Sequence, residues 1–441
     1  MTEGEGVCPW MNHRPPMNPP LSDSQEVDVA VIGAGYTGLS AAYHIGKLLP
    51  EKKVVVLEAE GAGEGASGRN GGMCLNQPSM DYMSMARPET HRLTYDATAQ
   101  SITEIAELMK REGLGAGIRI CGSLLTNSSE TGVERSKDYA RKAAGIGVPI
   151  EFWNRNQLTE KIGTDVYAGG LYDLNAAEVN PMNFVYALKN AAQNMGVTVF
   201  ERSPVLRIDE GRPAKLTVTG SDGRRYSVTA ETVVLGTNGY TTKLGFFRSK
   251  LAVVHVEMAA TRQLDDDEIS QLGWASRIPF HDDRIYLHHL GVTEDNRIII
   301  GGGNIEYFFN DGLDYTKSLE KRRRALRHEL IRIYPGLKDV EFEYAWSGVI
   351  SFSRDMSQSV GVTGRDGNIL YGIGYAGHGV SLAFLFGRVI ADIYAGHSDQ
   401  WRKMPFFQRR MPSLFPPEPL RWLTIKGYGS YLRLKDLTNR R

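Results

Sequence analysis

Gly33-x-Gly35-x-x-Gly38 stands between an apolar run, Val27–Ile32, and a stretch of helical character, and a second apolar run then ends on Glu58. Residues of these types at this spacing suit the binding of a dinucleotide. Gly33 permits a tight turn, Gly35 lets the backbone approach a pyrophosphate, and Gly38 lets helix and strand pack closely. The helix that starts around Tyr36 and Thr37 offers unpaired N–H groups and a dipole that favour negative charge. Glu58, with Ala59 behind it, lies twenty residues after Gly38 and is placed to accept from ribose hydroxyls. This segment alone allows a nicotinamide cofactor or a flavin.

The elements around it follow from pattern and punctuation. Glu64 to Gly72 is glycine-rich and reads as a loop feeding a helix or turn. Helical spacing runs over Leu93–Arg111, Glu134–Gly147, Pro181–Met195 (behind the Asn180 cap) and Lys317–Ile333. Strands are expected at Ile118–Thr126, in a meander from Val197 to Thr229, at Thr232–Gly236, Lys250–Gln263, Arg284–Leu290, Arg297–Gly301 and Asn368–Gly374. Gly377-His378-Gly379-Val380 then opens a last apolar helix, Ser381–Ala395.

Composition narrows the class. The chain has 441 residues, enough for two domains, with 41% hydrophobic and 23% charged residues. Its 51 basic and 51 acidic residues leave no global field to attract nucleic acid. The balance is uneven, because residues 401–441 hold ten basic and two acidic side chains. Three cysteines make no disulfide framework and no CxxC pair suggests zinc, which fits a reducing compartment and a cytoplasmic location. His288 and His289, adjacent on a strand, point to opposite faces, so no metal site is expected. No run of eighteen apolar residues spans a membrane, and residues 1–26 read as a polar, flexible tail in which only Cys8-Pro9-Trp10 looks able to dock.

Three separated pieces together carry a resemblance: the fingerprint Gly33–Glu58, the loop Gly65-Ala66-Ser67-Gly68-Arg69-Asn70-Gly71-Gly72, and Gly374-Tyr375-Ala376-Gly377-His378-Gly379. The chain resembles the D-amino-acid oxidase/glycine oxidase superfamily of FAD-dependent oxidoreductases. In motif it is most similar to γ-glutamylputrescine-oxidase-like and aminophosphonate-oxidoreductase-like members. The resemblance implies an α/β fold: a glutathione-reductase-type FAD-binding Rossmann domain with an inserted antiparallel-sheet α+β substrate domain. It places the FAD domain at 27–82, 165–245 and 345–400, the substrate domain at 83–164 and 246–344, and a basic extension at 401–441.

The same resemblance assigns roles. Ser67, Arg69 and Asn70 would serve the pyrophosphate and ribityl chain, and Gly71 and Gly72 would let backbone pass the isoalloxazine. Amides at Gly377, His378, Gly379 and Val380 would stabilise negative charge on the reduced ring. Val205 matches the residue whose backbone meets the adenine, Thr237 follows the return strand near the pyrophosphate, and Gly348 lies beside the ring. His255 and Glu257 share one face of a strand over the flavin, either lining the pocket as proton acceptor and ammonium anchor or facing solvent. Tyr375 is the further pocket candidate.

Two departures from the family pattern bear on the reaction. In Trp346-Ser347-Gly348-Val349-Ile350, isoleucine stands where amino-acid oxidases place a carboxylate-clamping arginine. Arg354 is the nearest alternative, and a set such as Arg69, Arg354 or Lys243 would be needed to grip a phosphonate. No cysteine stands near Ser347-Gly348 and no histidine in the second loop, so FAD is expected to be non-covalent. The function implied is oxidation of a primary or secondary amine, with oxygen or a quinone as acceptor. The basic C-terminal extension reads as a segment packing on the main body, its pattern interrupted by Gly427 and Gly429, with a membrane surface as the rival partner.

Overall fold

The apolar runs Val29–Ile32 and Val54–Leu57 have no polar face, a pattern that only strands covered on both sides can bury. In the computed structural model, which describes residues 6–12, 14–76, 83, 85–313, 319–409, 411 and 414–438, they are neighbouring parallel strands. Gln25–Ile32 also pairs in parallel with Arg225–Leu235, and Val54–Leu57 with Thr198–Phe200. Ile369–Ile373 joins the far side of Arg225–Leu235 in parallel. The expected meander is antiparallel over Val205–Asp209, Ala214–Thr219 and Arg225–Leu235. Its first member, Thr198–Phe200, is instead the parallel edge strand, and the strand expected at Thr232–Gly236 is the end of Arg225–Leu235.

Between the first two strands runs the helix Tyr36–Leu48, buried from Tyr36 to Gly46. It is enclosed by the helices Pro181–Asn194 and Gly379–Tyr394, and the Ser40 hydroxyl donates to Phe384 O at 2.7 Å. Gly33 has φ +95°, and a Cβ on Gly38 would stand 2.0 Å from Gly33 O. Any side chain at Gly38 would therefore push the helix off the strand, which is the steric reason for the third glycine.

A second, largely antiparallel sheet follows the order 342–353, 251–261, 298–302, 288–292, 280–282, 123–127, 169–173, 150–154. Its longest pair, the edge strand Phe342–Ser353 against Leu251–Thr261, matches eleven residue positions, with Val256 opposite Gly348. Gly169–Asp173 and Phe342–Ser353 thus belong to this sheet, although both fall within or across the ranges expected for the first domain. The expected strand Ile118–Thr126 is two strands, Ile118–Ile120 and Ser123–Asn127, broken at Gly122, and Arg284–Leu290 is strand only from His288. The expected start of a helix at Lys317 lies outside the described residues.

Both ends of the chain differ from expectation. Residues 6–12 and 14–26 are not a loose tail. Cys8, Met11 and Leu21 are buried, and the Asn18 amide donates to Glu201 Oε2 at 2.5 Å. That carboxylate also pairs with buried Lys189 at 2.5 Å and accepts from Ala62 N at 2.7 Å. A buried pair with its remaining lone pairs satisfied is a rigid anchor, since removing one partner costs about 3–5 kcal/mol. At the other end, Gly427 and Gly429 do not interrupt anything: Leu420–Thr438 is one helix. Two glycines cost it about 2 kcal/mol relative to alanine, which tertiary contacts offset.

Candidate active site

A cavity of about 270 Å³ opens where the two sheets meet. The first sheet contributes the helix start Gly35, Tyr36 and Thr37, and the return loop Gly236 and Asn238. The loop after the second strand contributes Ser67, Arg69, Asn70 and Gly71, and the last helix contributes Tyr375, Gly377, His378, Gly379 and Val380. From the second sheet come Val256, Met258, His289, Gly348 and Ile350. Pieces more than three hundred residues apart in sequence therefore share one wall.

The glycine-rich loop is held on every side. Three successive carbonyls accept from distant groups: Gly68 from the Cys8 thiol at 3.2 Å, Arg69 from the Trp346 indole at 2.9 Å, and Asn70 from the Trp10 indole at 3.0 Å. Asn70 stitches the loop internally, donating to Ser67 O at 2.7 Å and accepting from Gly72 N at 2.9 Å. Ser67 Oγ accepts from Tyr36 N at 2.9 Å, so the loop caps the fingerprint helix. Arg69 donates to Glu64 O at 2.8 Å and to Gly6 O at 3.0 Å, which turns its guanidinium toward its own loop.

Other expected residues lie behind the lining. Gly33 and Gly38 form the strand–helix contact, and Thr237, whose Cγ2 would face a Cβ on Gly33 at 3.6 Å, bonds Thr241 at 2.7 Å. Glu58 ends the second strand beside Ala59. Its carboxylate accepts from Ala34 N at 2.6 Å and Glu60 N at 3.1 Å, while burial holds its pKa above the usual carboxylate range. Ser203 N donates to Glu58 O at 2.7 Å, which brings the start of the Val205 strand to the same edge. Gly72 pairs with Val179 through backbone just behind the cavity.

His255 and Glu257 are a correction. They occupy the face of their strand turned away from the cavity, and their neighbours Val256 and Met258 line it instead. Neither faces solvent: both are buried, and His255 Nε2 lies 2.9 Å from Gly312 O. The imidazoles that do line the cavity are His281, His289 and His378. Desolvation lowers the pKa of each, with His289 and His378 at about 4, so all three are neutral at ordinary pH. His289 fits because Gly71 and Gly301 leave room for it: a Cβ on either would stand 3.0 or 2.6 Å from its ring. The sequence signal was the His288-His289 pair facing the Gly301-Gly302-Gly303 strand end, without any indication of which histidine points inward.

His288 points the other way, into a buried cluster with Asp282 and Glu329. Those three have metal-ligand spacing, but the Arg284 guanidinium already sits among them, 2.5 Å from Glu329 Oε1 and 2.7 Å from His288 Nδ1. A fixed cation satisfies that cluster.

Ile350 lines the cavity, whereas Arg354 is exposed outside it and Lys243 donates to Asn310 O at 3.1 Å on the surface. Among the described lining residues there is no aspartate, glutamate or lysine, and Arg69 is the one permanently charged group.

A family model for FAD dependent oxidoreductases (DAO) matches residues 28–393. The chain belongs to the DAO family of FAD-dependent oxidoreductases. Gamma-glutamylputrescine oxidoreductase of Escherichia coli is 29% identical over 391 residues, covering 86% of each chain. A probable oxidoreductase OrdL of Haemophilus influenzae is 27% identical over 438 residues, covering 95% of this chain and 94% of that one. The crystal structure of glycine oxidase from Geobacillus kaustophilus superposes with a TM-score of 0.73 at 21% identity, over 88% of this chain and 100% of that one. The fold is thus the α/β, Rossmann-type FAD fold that the motifs imply.

The residues present suit the cofactor. Two helices begin at the cavity, at Tyr36 and Gly379; Ser67 Oγ takes the Tyr36 amide of the first, and the second has no side-chain cap. Around Gly377 a Cβ would meet nothing within 4 Å, which leaves space for a ligand beside that helix start, where the His378 amide donates to Tyr375 O at 3.0 Å. No described helix is long and apolar enough to cross a membrane.

Proposed function

We propose that this FAD-dependent oxidoreductase oxidises the C–N bond of a primary or secondary amine whose reacting carbon bears no carboxylate. The observation that carries this is Ile350 in the cavity wall, with Arg354 and Lys243 outside the lining and Arg69 bonded to its own loop. A carboxylate or phosphonate needs a fixed, charge-matched donor, and an isoleucine side chain has none. The aminophosphonate alternative loses two of its three candidate cations for the same reason.

When bound, FAD supplies the hydride acceptor, so the chain need not provide a nucleophile. Glu58 would hold the ribose, Val205 the adenine edge, and the Gly35–Thr37 helix start the pyrophosphate, with Ala59 and Thr237 flanking. Ser67, Asn70, Gly71, Gly72 and Gly348 would leave backbone room beside the ring. Gly377, Gly379 and Val380 would present amides to its electron-rich edge, with His378, whose own amide donates to Tyr375 O, shaping the turn between them. Attachment is non-covalent: no cysteine flanks Gly348 and no histidine stands in the 64–72 loop. The amine reacts in its neutral form, its proton passing to solvent, since the imidazoles of His289 and His378, with pKa values held at about 4, are too weak to take it. The imine product then hydrolyses to a carbonyl compound and an amine or ammonia.

We assign oxygen as acceptor, with release of hydrogen peroxide. A quinone is favoured instead by the exposed apolar side chains of the terminal helix, and peroxide assays in air separate the two. Anaerobic flavin reduction, screened over polyamines, N-methyl amines, aminophosphonates and amino acids, tests the substrate class. Fastest bleaching is expected with an amine lacking an α-carboxylate. Best rates on glycine or simple D-amino acids would overturn the reading. Ile350→Arg should then improve amino-acid turnover by about 10–100-fold in kcat/KM, the worth of a charge-assisted pair.

A further inference from the structure

The terminal helix Leu420–Thr438 has two dissimilar faces. Its inner face is fixed to the substrate domain: Arg421 pairs with Asp311 at 3.4 Å and Lys426 with Glu306 at 3.1 Å. Farther along, Gly429 O accepts from the Tyr286 hydroxyl at 3.1 Å, Asp436 Oδ1 accepts from Ile285 N at 3.1 Å, and Arg433 donates to Asn304. Ile285, Tyr286 and Asn304 all line the cavity. The helix is therefore a buttress for the cavity wall, set by directional bonds.

Its outer face is a row of bulky apolar side chains left in water. Leu420, Leu423, Tyr431 and Leu434 are 55–65% exposed, and their spacing of three, eight and three residues puts them on one side of a helix. Phe309, 57% exposed, and Leu313, 38% exposed, stand in the segment that follows the cavity-lining residues Gly302 to Ile305. Glu418 ties that segment to the helix start, accepting from Tyr307 and from Asn310 N.

We propose that this face docks on an anionic lipid bilayer, with the row inserted at headgroup depth and the cavity wall held against the membrane. Charge decides for lipid. Residues 401–441 carry ten basic and two acidic groups. On the helix itself Arg421 and Lys426 are spent on Asp311 and Glu306, and Arg433 bonds Asn304. Glu418 is likewise occupied by Tyr307, Asn310 and Trp422, and Asp436 is buried. No described carboxylate of the helix therefore faces water, while Arg433 and Lys435 are exposed. Leucine and tyrosine beside lysine and arginine is the composition of a helix lying in a membrane interface. A second copy of the chain fits less well, because stable protein interfaces draw on about 20–30 residues a side, several times what this row offers.

The test is co-sedimentation of the full-length holoenzyme with mixed phosphatidylcholine–phosphatidylglycerol vesicles and with pure phosphatidylcholine vesicles. The expected result is retention by the mixed vesicles, weakened by salt, and at least a ~10-fold drop in partitioning for Leu423→Glu/Tyr431→Glu/Leu434→Glu. Those positions are exposed, so the variant should keep its flavin absorbance and melting temperature. Three outcomes overturn the proposal. The wild type could stay in the supernatant with mixed vesicles. The variant could bind as well as the wild type. Light scattering could show a dimer that the same substitutions dissolve, in which case a second copy covers the row.

Discussion

The Tyr375 hydroxyl meets the Thr37 hydroxyl at 2.6 Å, joining the start of the last helix to the start of the first. Both residues also border the cavity. Because the phenol already has a partner, its burial, which raises its pKa above the ordinary range, serves structure more than proton transfer. Tyr375→Phe should cost about 1–2 kcal/mol, the price of a buried hydroxyl left without its partner. It should lower the melting temperature by a few degrees and leave kcat within about 3-fold on the best amine. A large loss of kcat at unchanged stability would put Tyr375 on the substrate instead.

Glu58 is oriented by two backbone amides before any ligand arrives. Glu58→Gln replaces one acceptor oxygen with a donor aimed at an N–H group, so the side chain must turn away from the ribose edge. Titration of apoprotein followed by flavin fluorescence should show FAD affinity reduced by about 10–100-fold, the range for a charge-assisted bond. Unchanged affinity would remove Glu58 from the cofactor site.

The neutral histidines predict a one-sided pH dependence. His289 and His378 have folded pKa values of about 4, below the ordinary value of 6.5. As pH falls through 6.5 the unfolded chain takes up protons at these rings that the folded chain refuses, so their contribution to stability falls between about pH 6.5 and 4. The raised Glu58, Asp173 and Glu178 carboxyls contribute in the opposite direction. The melting temperature of the apoprotein minus that of His289→Asn should therefore fall as pH drops across this range. A profile for His289→Asn superimposable on the wild type would mean that this ring titrates normally.

The N-terminal segment acts on the flavin loop without touching the cavity floor. Trp10→Phe removes one donor to Asn70 O, and removal of residues 1–12 also strips the Cys8 and Gly6 contacts. Trp10→Phe should weaken FAD binding by about 5-fold, one ordinary hydrogen bond, and the truncation by more. Circular dichroism should show the bulk of the fold intact in both. Full FAD affinity in the truncated protein would show that the clamp is dispensable.

What could be read from sequence divides along a physical line. Gly33, Gly35 and Gly38 were legible because each answers a local steric demand, and Gly377–Val380 because a helix start announces itself. His255 and Glu257 misled for an equally physical reason. Alternation along a strand tells which residues share a face but not which face meets the cavity, and His255 and Glu257 take neither of the two positions it left open, pocket or solvent: the wall there is Val256 and Met258. Buried His255 has partners of its own, Gly312 O at 2.9 Å and Ser347 Oγ at 3.4 Å. Cys8-Pro9-Trp10 stood out in the polar tail as able to dock, but where it docks was not legible, because its partners Gly68 and Asn70 lie sixty residues away.

Gly68, Arg69 and Asn70 offer their carbonyls to Cys8, Trp346 and Trp10, and this sets a schedule for the growing chain. Two of the three donors leave the ribosome before the loop does, while the Trp346 indole follows Arg69 by 277 residues. At about 5–20 residues per second that is roughly 15–55 seconds in which the loop stands with one side open. The loop acquires this third strut only after Trp346 is made, and the wall formed by Tyr375–Val380 follows later still, so firm cofactor capture comes late in synthesis.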